Sequence, residues 1–340
     1  MRMISKRKAE LLNTLVKDYI RSAIPVASEK VAQKHSLGIS SATIRNYMAE
    51  FEENGYITRP HHYSGAIPSD KGYRFYVESI LTIEDIPAKS RHTIHNRFKE
   101  AESDIEAWTG MAAISLSQLT NNAAVVSYPK QPQSKFLRIN LVYIQDSLAF
   151  LILVLEKVHL RKQLLPLIEP ISNDQLQFIS NKLSDSLKGL NREEIMEKNL
   201  DSSPFETKVM DIIIKIMEAE DRNNIGETYV YGLKEILKQP EFSNGQKARE
   251  IVDVIEDKQL PKAISSETST KGEMKVIIGR ENRFQFLHPL SMVVCQYGLL
   301  GEGSGSIGVL GPKRMEYPKT IASVKFISSL MTDLFTQVTV

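Results

Sequence analysis

Apolar residues recur at helical spacing through the first eighty positions of the chain. Leu11, Leu12, Leu15 and Val16 form one stripe along a first helix. Serines placed to cap helix starts and glycines placed to end helices divide the region that follows into short elements. The predicted order is a helix over 6–23, a short helix from Ser28 to about His35, a helix from Ser41 to Asn54, extended pieces around Ile57 and Ile67, and a fourth helix after Ser69.

Continuous and alternating apolar runs in the rest of the chain predict strands on both sides of a mainly helical segment. A sheet that begins before such a segment and resumes after it indicates an inserted domain. The sequence therefore predicts a multidomain α+β protein. The expected elements are a long helix over 90–120, strands over 123–127, 136–144, 148–155 and 158–167, helices over 172–260, strands over 275–278, 292–298 and 306–310, and a last helix over 318–335.

The third helix, which we expect Ser41 to cap, has two unlike faces. Its apolar positions fall at i, i+3, i+4 and i+7 and predict a core face: Ile44, Tyr47, Met48 and Phe51. The opposite face is small and polar and carries a single positive charge, whereas an ordinary surface helix carries more Lys and Glu. This face and its flanks consist of Ala42, Thr43, Arg45, Asn46 and Ala49.

Such a face suits a helix that enters the major groove of DNA, where bulky side chains clash. Arg45 can bond guanine and Asn46 adenine, each in bidentate fashion, while Thr43 or Ala42 can touch a thymine methyl. The helix start at Ser40 and Ser41 offers N–H groups to a phosphate. The competing interpretation is an ordinary helical bundle.

The polar stretch after this helix resembles a wing beside a recognition helix. We expect its tip and flank to contact DNA through Arg59, His61, His62, Ser64, Lys71 and Arg74. A solvated hairpin is the alternative. Residues 1–80 carry 12 Lys+Arg and 8 Asp+Glu, although the net charge of the whole chain is only +2. This local excess favours an anionic partner.

Composition excludes several classes of protein. Hydrophobic residues make up 42% of the 340 positions, which is enough for a normal core. A single cysteine, Cys295, cannot form an intramolecular disulfide and suits a reducing cytoplasm. No apolar stretch follows the basic start as an export signal needs, and the run Leu148–Leu155 is too short to span a membrane. We therefore expect a soluble protein.

Several segments, in order along nearly the whole chain, resemble the HrcA family of heat-inducible transcription repressors: "PVASEKVAQKHSLGISSATIRNYMAEFEENGYITRPH", "SGAIPSDKGYRFYVE", "GLKEILKQPEF", "VIIGREN" and "GSIGVLGPKRMEYPK". The resemblance implies a winged helix-turn-helix domain over about 1–86, a GAF-like α/β domain over 90–168 and 262–340, and an inserted dimerisation domain over 169–261. It also implies a homodimer on an inverted-repeat operator upstream of chaperone operons, kept active by the ring chaperonin.

Two positions depart from the family pattern. Ala66 stands in the wing where the family places an arginine, so the resemblance supports contacts by the recognition helix more than contacts by the wing. Lys313 replaces a common threonine in "LGPKRM", and nothing in the sequence explains that change.

The segment Phe205–Glu220 is apolar nearly all round and must be buried on several sides. Core packing is one interpretation. A dimer interface is the other, because an inverted repeat requires a two-fold symmetric protein. The interface residues would be Val209, Ile212, Ile213 and Ile216.

The remaining candidate sites favour a structural role. The stretch "GSGSIG" over 303–308 matches a dinucleotide-binding pattern, but a strand follows it where a helix is needed, so a glycine-rich hairpin turn is expected. No arrangement of nucleophile and base or of paired carboxylates indicates an enzyme, and we expect neither cofactor nor metal. The main alternative function is a winged-helix regulator controlled by a small-molecule effector in the GAF-like domain.

Overall fold

The computed structural model is a chain of helices and antiparallel strands, which confirms the predicted α+β class. It divides into two compact units. Unit 1 comprises Met1–Pro129 and Ile225–Val340, and unit 2 comprises Lys130–Asn224. None of the described helices is both long and apolar enough to cross a membrane. The structure describes residues 4–34, 39–60, 65–80, 85–101, 104–129, 133–145, 147–156, 159–167, 169–222, 228–268, 273–299 and 303–339.

The N-terminal part of unit 1, residues 6–78, is called the head here. The expected helices are present, and their bounds differ from the predicted ones by a residue or two. The stripe on the first helix is core, with Leu11, Leu12, Leu15 and Val16 at most 1% exposed. The head consists of α1 Lys6–Ser22, α2 Ser28–Lys34, α3 Ser41–Glu53, β1 Ile57–Thr58, β2 Ile67–Pro68 and α4 Asp70–Glu78.

Two helices replace the single long helix that the sequence predicted over 90–120. They are α5 Ala88–Glu100 and α6 Ile105–Thr120, and β3 Ala123–Ser127 follows them. The break lies at Asp104, whose carboxylate accepts hydrogen bonds from the N–H groups of Glu106 and Ala107. A capping aspartate starts a new helix. The periodicity of the apolar residues does not indicate this start, so the two helices were predicted as one.

Unit 2 is a three-stranded antiparallel sheet with helices on one face. Its elements are β4 Phe136–Gln145, β5 Leu148–Leu155, β6 His159–Pro166, α7 Asn173–Leu187, α8 Arg192–Glu197 and α9 Pro204–Arg222. The strands pair in the order β4-β5-β6. One face of the sheet, including Phe136, Ile139, Leu151 and Leu153, packs against leucines of α7 and the apolar side of α9.

The insert bounds therefore differ from the predicted 169–261. The sequence assigned the strands over 136–167 to the interrupted sheet, but these strands pair with one another inside unit 2. The apolar run over 148–155 predicts a strand correctly, yet it carries no information about the partner strand. The insert begins and ends earlier in the chain than its helical composition indicates.

Helix α9 fills the core of unit 2, which corrects part of the predicted dimer interface. Val209 and Ile213 are 0% exposed within the single chain and belong to the same cluster as the buried residues of the sheet. These two side chains have no surface to offer a second copy. Ile212 and Ile216 are half-buried and pack against the edge of that cluster.

The rest of unit 1 is a five-stranded antiparallel sheet in the order β7-β3-β10-β9-β8. Alternate side chains point to its two faces. Ala124 and Ile307 lie on the face that buries residues of α6 and of the last helix, whereas Val125 and Met292 lie on the face that buries residues of the three helices between positions 233 and 267. The elements are β7 Thr228–Tyr231, α10 Leu233–Leu237, α11 Gly245–Glu256, α12 Leu260–Glu267, β8 Lys275–Ile278, β9 Leu290–Leu299, β10 Gly303–Pro312 and α13 Tyr317–Thr339.

The stretch "GSGSIG" forms the first part of β10 and not the expected hairpin turn. It pairs along its length with β9, and Gly305 lies opposite Tyr297. A Cβ atom at Gly305 would collide with the Tyr297 ring, so the glycine allows that buried ring to lie flat on the strand. Packing accounts for the glycine at this position without a bound nucleotide.

Candidate nucleic-acid interface

Helix α3 has the two faces that its sequence predicted. Ile44, Met48 and Phe51 are at most 2% exposed and pack in the core of the head. On the opposite side Ala42 and Asn46 are exposed, together with Ser41, Arg45 and Ala49, while Thr43 is half-buried. The exposed side is therefore short and polar along more than two helical turns, a shape that fits into a groove.

The start of α3 suits an anion. Ser40, not the expected Ser41, is the N-cap: its hydroxyl accepts a hydrogen bond from the Thr43 N–H at 3.2 Å and lies 3.0 Å from the Thr43 hydroxyl. The first turn carries no acidic residue. N–H groups at a helix start have no partner within the helix and attract a phosphate, so Ser41 and Ala42 lie where backbone contacts to DNA are favourable.

Arg45 has an acidic neighbour on another helix. Its guanidinium lies 3.7 Å from the carboxylate of Glu29 on α2, and both side chains are exposed, at 66% and 73%. An ion pair as open as this contributes little free energy. Arg45 can therefore leave Glu29 for another partner at little cost.

Two ion pairs hold the helices of the head together behind this face. Lys8 of α1 donates to both carboxylate oxygens of Glu50 on α3, at 2.6 and 2.7 Å, and its ammonium lies 5.1 Å from the centroid of the Tyr47 ring. Lys34 of α2 donates to Asp18 of α1 at 2.6 Å. These pairs have no signal in the sequence, since each one joins two elements that are distant along the chain.

The structure describes only some of the wing residues that were predicted to contact DNA. His61, His62 and Ser64 lie outside the described residues. Arg59 is placed, but its side chain is only 25% exposed and lies 3.5 Å from Glu52. Ala66 is 1% exposed, and its N–H and C=O groups both pair with Val26 at 2.9 Å.

The two predicted flank residues on α4 have partners within the protein. Lys71 donates to the Asn54 carbonyl at 2.9 Å, and its ammonium lies 4.4 Å from the centroid of the Tyr56 ring, although the side chain stays exposed. Arg74 donates to the Glu281 carboxylate at 2.8 Å and to the Val276 carbonyl at 2.6 Å. The Arg74 guanidinium is therefore engaged at the edge of the five-stranded sheet, and the predicted contact with DNA would require these bonds to break.

Comparisons with known proteins show what the chain is similar to. Residues 108–321 match the family model for the HrcA protein C terminal domain. A protein of Dehalococcoides mccartyi named heat-inducible transcription repressor HrcA is 39% identical to the chain over 332 residues, which cover 98% of this chain and 96% of the relative. A protein of the same name from Herpetosiphon aurantiacus is 32% identical over 338 residues, covering 97% of this chain and 95% of the relative.

One solved structure shares the overall fold. It is a crystal structure described as that of a hypothetical protein at 2.2 Å resolution, with a TM-score of 0.60 and 23% sequence identity. The similarity covers 98% of both chains. At this identity it supports the fold alone.

Proposed function

The chain belongs to the HrcA family of heat-inducible transcription repressors, and on that basis we propose that it represses heat-shock chaperone operons by binding an inverted-repeat operator as a dimer. The observation that supports this most directly is the exposed face of α3, which is short, polar and free of acidic side chains at its start. The same proposal treats the head as a winged helix and the five-stranded sheet with its helices as a GAF-like domain.

In this proposal the N-terminal half of α3 contacts the edges of the bases. Arg45 and Asn46 are exposed there and have the side-chain geometry for bidentate contacts to guanine and adenine. Ser40, Ser41 and Ala42 lie at the helix start, where a phosphate fixes the register of the helix on the duplex. Lys71 and the hairpin after α3 contact the DNA backbone in this proposal, and such contacts do not depend on the base sequence.

The Arg45→Ala variant tests the reading of bases. We expect it to lose about 1–3 kcal/mol of specific binding and to become less selective at one base position, because a bidentate contact is removed. The measurement is fluorescence anisotropy with the operator and with its single-base variants. Arg91→Ala, which removes an exposed arginine from α5, should leave binding unchanged. An Arg45→Ala protein with the selectivity of the native chain would contradict the assignment.

Dimerisation is assigned to the open face of the sheet in unit 2. Val142, Phe150 and Leu164 are register partners on neighbouring strands, and they are 43%, 38% and 52% exposed. Val154 and Leu160 pair in the same way, and Leu160 is 50% exposed. The apolar face is continuous along β5 through Ile152, which lies between Asn140 and Lys162 on the neighbouring strands. An exposed apolar face of this kind marks an interaction surface. A second copy of the chain is the partner that an inverted-repeat operator requires.

Control by heat is proposed to act through the folded state of the protein, with the ring chaperonin restoring it. β3 pairs with β10 and β7, which lie far along the chain, and such non-local pairing folds slowly and exposes apolar strands on the way. We expect operator binding to recover poorly after mild heating and cooling, and to recover with ring chaperonin and ATP. Anisotropy before heating, after cooling and after chaperonin treatment measures this. Full spontaneous recovery that chaperonin does not alter would contradict it.

A further inference from the structure

Helix α4 joins the head to the sheet through Asp70. One carboxylate oxygen accepts a hydrogen bond from the Lys313 ammonium at 2.7 Å, and the other accepts from the N–H of Arg280 at 3.0 Å. Gly279 has a φ of +52°, and a Cβ atom there would collide with the Asp70 carboxylate. Glycine at this position therefore allows the close approach of the carboxylate to the turn after β8.

Arg74, one turn further along α4, binds the same turn and the strand before it. Its Nε donates to Glu281 at 2.8 Å, and its Nη2 donates to the same carboxylate and, at 2.6 Å, to the carbonyl of Val276. Glu281 also accepts from the N–H of Ile278 at 2.9 Å. Arg74 therefore binds both β8, which is an edge strand, and the turn that follows it.

Arg314 makes a separate connection to α1. Its Nη1 donates to the carbonyl of Ile20 at 3.1 Å, in the last turn of that helix, where a cation is favourable. Its Nη2 donates to Gln239 at 2.7 Å, and its Nε pairs with Glu241. The Arg314 side chain is 13% exposed, so these bonds lie in a largely dry environment.

An aromatic contact accompanies these polar contacts. The rings of Tyr73 on α4 and Tyr317 at the start of α13 have centroids 6.2 Å apart. Tyr317 is 0% exposed, and its hydroxyl donates to the carbonyl of Lys313 at 2.6 Å. The head is thus attached through two of its helices, and attachment at two places opposes rotation about either one.

We propose that Asp70, Arg74 and Arg314 are positioning residues, which fix the orientation of the recognition helix on the sheet and so set the spacing at which a dimer accepts two half-sites. They touch no DNA in this proposal. The base preference of each half-site stays with α3. The inference depends on the proposed function, because spacing has a meaning only for a dimer on an inverted repeat.

Loss of these contacts is expected to change the half-site spacing that the dimer accepts, and not the folding of the chain. A rigid head places the second recognition helix at one distance and rotation, since about five inserted base pairs turn a half-site to the opposite side of the duplex. A head released from the sheet can adjust to other spacings, but it loses part of the advantage of binding two sites at once. A merely structural role would lower stability and leave the accepted spacing unchanged.

The test uses full-length protein and in vitro selection from a random DNA pool, so the bases of the operator emerge from the experiment itself. The native chain should recover inverted half-sites at one spacing. The double variant Asp70→Asn, Arg74→Gln should recover the same half-site bases at several spacings. Its affinity for the native spacing should fall by about tenfold or more, while its affinity for a single half-site stays unchanged.

Two further chains make the result decisive. Arg283→Gln breaks an Arg–Glu pair between Arg283 and Glu267 that does not involve the head, and it should keep the native spacing. A charge-exchanged chain with Arg74→Glu and Glu281→Arg restores the attraction and should recover the narrow spacing. If the double variant fails to fold, the single variant Arg74→Gln, which keeps both bonds of Asp70, takes its place and should also accept several spacings.

Three outcomes in the variant chains would overturn the inference. They are an unchanged spacing in a folded double variant, altered half-site bases in that variant, and a broad spacing in the charge-exchanged chain. A native chain that accepts several spacings would also overturn it. A native chain that recovers no inverted repeat would instead count against the proposed function.

Discussion

A chain in which residues 128–227 are replaced by an Asn-Gly turn is expected to remain folded, to become a monomer and to lose tight binding to an inverted repeat. The ends of the replaced segment are neighbours, because Ser127 and Thr228 are register partners in the antiparallel pair of β3 and β7. A two-residue Asn-Gly turn is a favoured connection between such strands. Unit 1 therefore keeps its sheet, while the apolar face assigned to dimerisation is removed.

The expected loss is large because it removes simultaneous binding of two half-sites. Affinity for the inverted repeat should fall by about 100-fold or more, whereas affinity for a single half-site should not change. Sedimentation equilibrium measures the mass, and anisotropy measures the two affinities. The full chain at the same concentration is the control. A shortened chain that is still a dimer would place the dimer contact in unit 1, contrary to the assignment.

The second large effect is expected from one substitution, aspartate for an apolar residue, made at three sites in unit 2. At Phe150, 38% exposed on the open face of the sheet, the carboxylate stays in water in the monomer but would be buried in the dimer. Dimerisation should therefore weaken by about 100-fold or more while the monomer remains folded, since burial of an unpaired charge is strongly unfavourable. At Ile213, 0% exposed, the same change should unfold unit 2.

Phe178→Asp is the matched control, because Phe178 is 67% exposed on α7 and lies away from the open sheet face. It should change neither assembly nor stability. Sedimentation and urea denaturation of the three variants separate interface residues from core residues. A Phe150→Asp protein that stays a dimer would exclude the sheet face. A monomeric Phe178→Asp protein would move the contact to the helical side of unit 2.

Local patterns predicted the buried and exposed faces of α3 because both faces belong to one helix. The spacing of Ile44, Met48 and Phe51 is enough to assign which side of α3 is buried. The cap was misplaced by one residue, since Ser40 and Ser41 are equally suitable in sequence and only the geometry distinguishes them. The spacing of apolar residues predicts which face of a helix is buried, and for α3 this prediction is confirmed.

Properties that depend on distant partners could not be predicted in this way. An arginine on an exposed turn of α4 looks like a phosphate contact, but Arg74 binds Glu281, more than two hundred positions further along the chain. The all-round apolar character of α9 fits a core and an interface equally, and only the packing places Val209 and Ile213 in the core. Strand partners in the interrupted sheet were hidden for the same reason.

The strand order β7-β3-β10-β9-β8 also determines how long each strand of the growing chain waits on the ribosome for its partner. β3 leaves the ribosome early, but roughly 175 residues separate it from β10. The synthesis of these residues takes roughly 9–35 s at usual rates. The head is complete long before β8 emerges and Arg74 gains its partners. The nascent chain therefore contains α3 before it contains the partners of Arg74, so the synthesis of β8 and of the turn after it determines when the head can attach to the sheet.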